Sequence, residues 1–209
     1  MSMFYFVKTP WLLKKMYPKG IWNIATKEKV LYLTFDDGPH PEATLFVLDE
    51  LKKYNASATF FCIGKNVAQH GEIYSRILNE GHRTANHTFN HLNGWKTDDT
   101  KYFENMLQAK KYIDSYLFRP PYGRISKLQL KYLAEKFGMK VIMWSVLSGD
   151  FDAAISPETC LKNVMLSAKS GSIIVFHDSE KAFEKVKYVL PKVLKIFSEK
   201  GYRFDKINL

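Results

Sequence analysis

Adjacent carboxylates at Asp36 and Asp37, a histidine pair at His87 and His91, and a lone histidine at His177 are the residues whose types and spacing suit hydrolytic chemistry. The histidines stand four apart, the short separation found in many zinc sites. One carboxylate with two imidazoles makes a three-ligand set that leaves metal positions open for water and substrate. Neighbouring residues leaving a strand point in different directions, so one aspartate can ligate while the other stands back as a base. His177 ends the apolar run SIIVFH, and Asp150 is placed to pair with its cationic form, raising its pKa and keeping a proton ready for donation. Arg119 precedes Pro120-Pro121, which stiffen the backbone and let a guanidinium orient a carboxylate through two hydrogen bonds.

These residues need a scaffold that brings distant segments to one rim. Val30–Phe35 is β-branched, aromatic or aliphatic on both faces, as in a strand buried on both sides of an α/β domain, and Asp36-Asp37 lie where it emerges. Gly38 is expected to turn the chain through backbone angles closed to other residues, with Pro39 fixing its own. Helices are predicted over 41–54, 66–78, 102–116, 127–137, 157–168 and 185–198, with Pro191 kinking the last or marking its start. Phe103, Met106, Leu107 and Ile113 are the predicted buried stripe of the third. Strands are predicted over 58–63, 82–86, 117–118, 141–146, 172–176 and 202–207. Strands alternating with helices, about seven in number, imply a parallel sheet closed as a distorted (β/α) barrel, whose ligand sites gather at the carboxyl ends of the strands.

Composition sets the outer bounds. The 209 residues are 46% hydrophobic, enough for one domain with a sizeable core, and no linker or repeat divides them. The net charge of +10 favours something acidic as a partner, but the lysines are spread along helical segments and no nucleic-acid motif accompanies them, so no nucleic-acid partner is expected. Cys62 and Cys160 read as buried thiols. No stretch has the length of a membrane span, and the start lacks the unbroken apolar centre of a secretory signal, so a cytoplasmic location is expected. Phe4, Phe6, Trp11 and Leu12 are expected to pack over the core, with peripheral membrane contact by this basic, aromatic start as the alternative.

Thr34–Pro39 (TFDDGP), His87–His91 (HTFNH), Arg119–Tyr122 (RPPY) and Val175–Asp178 (VFHD) together resemble the ordered motifs of the polysaccharide deacetylase family, the NodB-homology domain of carbohydrate esterase family 4. The resemblance spans roughly residues 30–209, so 1–209 reads as one such domain with 1–28 as an extension packed on the barrel. It implies a divalent metal, usually zinc, held by Asp37, His87 and His91. It also implies Asp36 as general base, Arg119 steadying Asp36, His177 as general acid tuned by Asp150, and the Tyr122 N–H facing the oxyanion. The implied reaction is removal of N-acetyl groups from a carbohydrate of the N-acetylglucosamine type. Hydrolysis of a small non-carbohydrate amide and sugar binding without catalysis are the alternatives. Two positions depart from the family pattern: Phe151 stands where tryptophan is usual, and Val175 where leucine is.

Overall fold

The computed structural model describes residues 5–209. In chain order it contains α1 (Trp11–Met16), β1 (Val30–Asp36), α2 (Ala43–Lys53), β2 (Thr59–Cys62), α3 (Gly64–Gln69), α4 (Gly71–Asn79), β3 (Arg83–Asn86), α5 (Asp99–Lys110), β4 (Leu117–Phe118) and a 3-10 turn (Pro121–Gly123). There follow α6 (Lys127–Phe137), β5 (Lys140–Val141), β6 (Val146–Leu147), α7 (Pro157–Ser167), β7 (Ile173–His177), α8 (Glu180–Glu199) and β8 (Arg203–Phe204).

The strands pair in parallel in the order β5-β4-β3-β2-β1-β7-β6, with β8 pairing the start of β1. The sheet curls into the expected distorted barrel, and its two faces bury different sets of side chains. Leu31, Leu33 and Phe35 of β1 and Ile174 and Phe176 of β7 face outward and pack with Val47, Leu48, Val189 and Leu190 of the surrounding helices. Phe61, Ala85, Leu117, Ile142 and Ile173 meet inside the curl. The side-chain period of two thus decides which residues reach the lumen. Counting on from the inward residues places Asp36, His87, Arg119 and His177 on the same inner face.

The predicted strand over 141–146 is interrupted. The backbone of Val141 and Met143 bonds instead to Ile21, while the carbonyls of Ile142 and Met143 accept from the Arg119 side chain. No ladder can form where those groups are already engaged. The N-terminal segment runs along this gap between β5 and β6, bonding through Ile21, Val7 and Thr9 to the backbone of Val141, Met143, Leu147 and Ser145.

Other boundaries shift for local reasons. The helix expected over 66–78 splits at His70, whose φ of −128° leaves the helical region and whose carbonyl opens α4. On α5 the buried stripe is Tyr102, Met106 and Ala109, at helical spacing; of the expected residues Met106 and, just past the helix end, Ile113 are buried and Phe103 packs on the core, while Leu107 points to solvent. The last helix begins earlier than expected, at Glu180, and runs through Pro191. A proline inside a helix costs about 3 kcal/mol, and the buried row Val186, Val189, Leu190, Val193, Leu194 and Phe197 offsets it. Leu13 of α1 and Tyr17 just after it turn toward the protein, which leaves Trp11 71% and Leu12 59% exposed rather than packed on the core. Phe6 is half exposed, and Phe4 lies outside the described residues. Among the described residues no helix is long and apolar enough to cross a membrane.

Away from the lumen, His82 is buried and its Nδ1 accepts the Ala58 N–H at 3.2 Å, a bond that the neutral ring makes. Burial disfavours the cation and lowers its pKa from 6.5 to about 4. As pH falls, the unfolded chain therefore binds this proton first, and stability is lost from the unfolded value down to the folded one. The loss should reach about 3 kcal/mol at most. His82→Asn, which keeps an acceptor for Ala58, should flatten this acid slope. Urea unfolding near neutrality and at about pH 4.5 measures it, and an unchanged slope in the variant would assign the loss to other groups.

Candidate active site

At the carboxyl end of β1 the backbone of Asp37 takes φ 84°, so the left-handed angle falls on Asp37 and not on Gly38 as expected. What Gly38 supplies is space: a Cβ there would lie 2.0 Å from Asp178 Oδ2. The Gly38-Pro39 peptide is cis. Asp37, Thr88, His91 and Tyr122, four of the five described non-glycine residues with positive φ, belong to this rim. Each is costly in isolation, and such conformations persist where surrounding contacts hold them.

Asp37, His87 and His91 offer ligand atoms that all lie within 4.8 Å of one another. Asp37 Oδ1 is 3.2 Å from His91 Nε2 and 3.7 Å from His87 Nε2, and it is buried with no hydrogen-bond partner. An orphaned carboxylate oxygen facing two imidazole nitrogens is a donor set that suits a divalent cation. The far side of each ring is engaged, His87 Nδ1 with the Arg119 carbonyl at 2.8 Å and His91 Nδ1 with the Tyr122 hydroxyl at 3.1 Å. Those bonds aim both Nε2 atoms at Asp37. Burial lowers the His87 pKa to about 4 and leaves the ring neutral for ligation. Burial opposes the charge of Asp37, but the imidazoles of His91, His177 and His87 close to it hold its carboxyl below the usual carboxylate range.

Asp36 accepts from Arg119 Nη1 at 2.6 Å. The arginine is fully buried; Nη1 also reaches Thr34 Oγ1, Nε and Nη2 bond the carbonyls of Ile142 and Met143, and the guanidinium lies 3.9 Å from the Phe61 ring centre. It therefore fixes one oxygen of Asp36 with one bond, where the sequence reading expected a bidentate grip. His177 Nδ1 is 2.8 Å from Asp150 Oδ1, and the His177 N–H donates to Asp150 Oδ2 at 2.6 Å. Burial works against the imidazolium, yet the charge and hydrogen bond of Asp150, with Asp37 and Asp36 adding, push the His177 pKa up to about 10. Tyr122 is exposed with its ring 4.6 Å from that of His91, and no acceptor for its N–H is found among the described residues.

Residues 23–142 match the polysaccharide deacetylase family. A peptidoglycan-N-acetylglucosamine deacetylase of Bacillus cereus is 36% identical over 205 residues, covering 94% of this chain and 96% of its own. The chain belongs to the polysaccharide deacetylase family. A chitooligosaccharide deacetylase of Azorhizobium caulinodans is 33% identical over 75% of this chain and 77% of its own. The crystal structure of a peptidoglycan N-acetylglucosamine deacetylase, in complex with 4-naphthalen-1-yl-N-oxidanyl-benzamide, superposes with a TM-score of 0.86 at 31% identity, covering 95% of each chain.

Within this polysaccharide deacetylase frame, Phe151 packs edge-on against His177 with ring centres 5.3 Å apart, an apolar contact that supplies no N–H. Val175 is buried on β7 beside Thr34 and Leu147. The sequence reading missed the groups that brace the loops. Asp178, fully buried, accepts from the Gly38 N–H at 3.0 Å and from Thr44 Oγ1 at 2.6 Å, and burial pushes its pKa up to about 8. Asn66 Nδ2 donates to the Asp37 carbonyl, Asn86 Oδ1 accepts the Thr88 N–H, and Asn105 Oδ1 accepts the N–H groups of Phe89 and Asn90. The signal available for them was polar residues inside apolar elements, where burial demands partners.

Proposed function

We propose that this protein is a metal-dependent deacetylase that hydrolyses N-acetyl groups of an N-acetylglucosamine-type carbohydrate, as polymer, oligomer or glycan precursor, releasing acetate. The observation that carries the proposal is the buried, unpartnered Asp37 Oδ1 facing His87 and His91 Nε2 beside the Asp36–Arg119 and His177–Asp150 pairs. The names of the relatives support amino-sugar polymers as the substrate class.

An amide is a poor electrophile with a poor leaving group, so hydrolysis needs an activated water, a polarised carbonyl and a protonated amine. Asp37, His87 and His91 would hold a divalent cation, zinc by preference of the donor set, which would supply a lowered water pKa and a polarised carbonyl. Asp36 accepts the proton of the attacking water, and Arg119 keeps that carboxylate in one orientation. The Tyr122 N–H donates to the oxygen on which charge develops. His177, held as the imidazolium by Asp150, gives its proton to the departing nitrogen as the C–N bond breaks, leaving acetate and a free amine.

Acetate release from N-acetylglucosamine oligomers, peptidoglycan fragments and acetylated xylan, set beside a panel of small amides, tests the proposal. Zinc-loaded protein is expected to release acetate from the oligomers or the peptidoglycan. Turnover of small amides alone, or no turnover with zinc bound, would overturn it.

A further inference from the structure

Helix α1 (Trp11–Met16) has two faces of different kind. Leu13, and Tyr17 one turn on, pack on the cluster that holds Trp22 and Met143. At 3.6 residues per turn, Trp11, Lys15, Leu12 and Met16 fall together within an arc of about 140° on the other side. Trp11 and Leu12 are exposed there, and Met16 is half exposed. The Trp11 indole N–H has no acceptor among the described residues, and Lys15 Nζ stands 5.2 Å from the centre of its ring.

The charge around this face has one sign. Residues 5–27 contain Lys8, Lys14, Lys15, Lys19 and Lys27 and no carboxylate. Among the described residues only Lys19 of these is paired with an acid, Glu135. Lys169, just past α7, joins them in space: burial, with the like charges of Lys169 and Lys8, lowers the pKa of Lys14. Lysines crowded without a counter-charge gain from an anionic surface. A tryptophan flanked by aliphatic side chains gains from a boundary between water and hydrocarbon. A second copy of the chain is a poor occupant, since a two-fold contact would set this face against itself and bring like lysines together. A carbohydrate polymer would meet Leu12 and Met16, which offer its hydroxyls no hydrogen bond.

We propose that the outer face of α1 docks on an anionic lipid bilayer, with Trp11, Leu12 and Met16 entering the interface while Lys8, Lys14, Lys15 and Lys169 meet lipid phosphates. The lysines supply attraction and the three other side chains supply burial, so both sets are required. This docking does not depend on the reaction at the centre.

Flotation of the full chain with vesicles tests it. Vesicles of phosphatidylcholine with about one third phosphatidylglycerol should bind the protein, at least about tenfold more tightly than vesicles of phosphatidylcholine alone. Tryptophan emission should shift to the blue on the anionic vesicles. Trp11→Ser with Leu12→Ser should lose the shift and weaken binding about tenfold. Lys8→Gln, Lys14→Gln and Lys15→Gln together should weaken it about fivefold for each charge removed. Lys52→Gln, Lys192→Gln and Lys195→Gln together should change it little, since α2 and α8 cover β1 and β7 on the opposite side of the barrel. Unchanged urea midpoints show that each variant is folded. No binding to the anionic vesicles, or equal losses from the two lysine sets, would overturn the inference. Binding that survives the Trp11, Leu12 variant would overturn it too, by reducing the face to charge alone. So would a dimer in sedimentation that this variant dissolves, which would put a second copy on the face. Retention on purified peptidoglycan without vesicle binding, lost in the same variant, would overturn it in favour of a polymer.

Discussion

Asp36→Asn is expected to lower kcat by about 10²–10⁴, the usual contribution of a positioned general base, while zinc binding is unchanged. The amide keeps an oxygen for Arg119 Nη1, which holds the present carboxylate at 2.6 Å, so the site should keep its shape and lose only the proton acceptor. His87→Ala makes the contrast. It removes one of the three converging ligand atoms and the ring that bonds the Arg119 carbonyl, so zinc affinity and turnover should fall together. Metal content after dialysis and acetate release, measured on both variants, separate the two effects. Normal turnover by the Asn variant would remove Asp36 from its assigned role.

Arg119→Met should cost about 3–5 kcal/mol of stability, because it leaves a buried carboxylate without its counter-charge. The effect is large for a second reason. Arg119 also bonds Thr34 and the carbonyls of Ile142 and Met143, so its removal strands acceptors at the point where the sheet is interrupted. Arg119→Lys should recover only part of the loss, since an ammonium is a point charge and cannot span the same fork of acceptors. In the double variant Asp36→Asn, Arg119→Met the penalty should shrink, since no buried charge is left alone. Urea unfolding of the three variants measures this, and a loss below about 1 kcal/mol for Arg119→Met would show the arginine to be no more than a surface-grade ion pair.

The order of elements was legible because apolar runs on both faces and helical spacing are local properties of the chain. Val30–Phe35 reads as a doubly buried strand from its residues alone, and β1 spans Val30–Asp36. Helix α6 matches its predicted span at Lys127–Phe137, where Ser126 and Gln129 form a capping box and Gly138 takes the left-handed cap. Predictions failed where a distant segment claimed local groups. The run 141–146 has strand composition, but Ile21 and Arg119 take its backbone partners. Trp11 and Leu12 are as apolar as core residues, yet the six-residue helix α1 turns Leu13 inward and leaves those two to solvent.

The chemistry divides along the same line. Residue type and order alone placed two aspartates after a strand, two histidines four apart and a further histidine after another strand, and so determined which side chains are available for a hydrolytic centre. Only the folded chain decided how they meet. Asp37 Oδ1 is left unpaired before two Nε2 atoms, Arg119 reaches across the lumen to Asp36, and Asp150 takes both the ring and the backbone N–H of His177. The physical reason is that composition and periodicity are set by neighbours along the chain, whereas the tautomer of a ring and the pairing of a buried charge are set by atoms that closure of the sheet brings within a few ångströms.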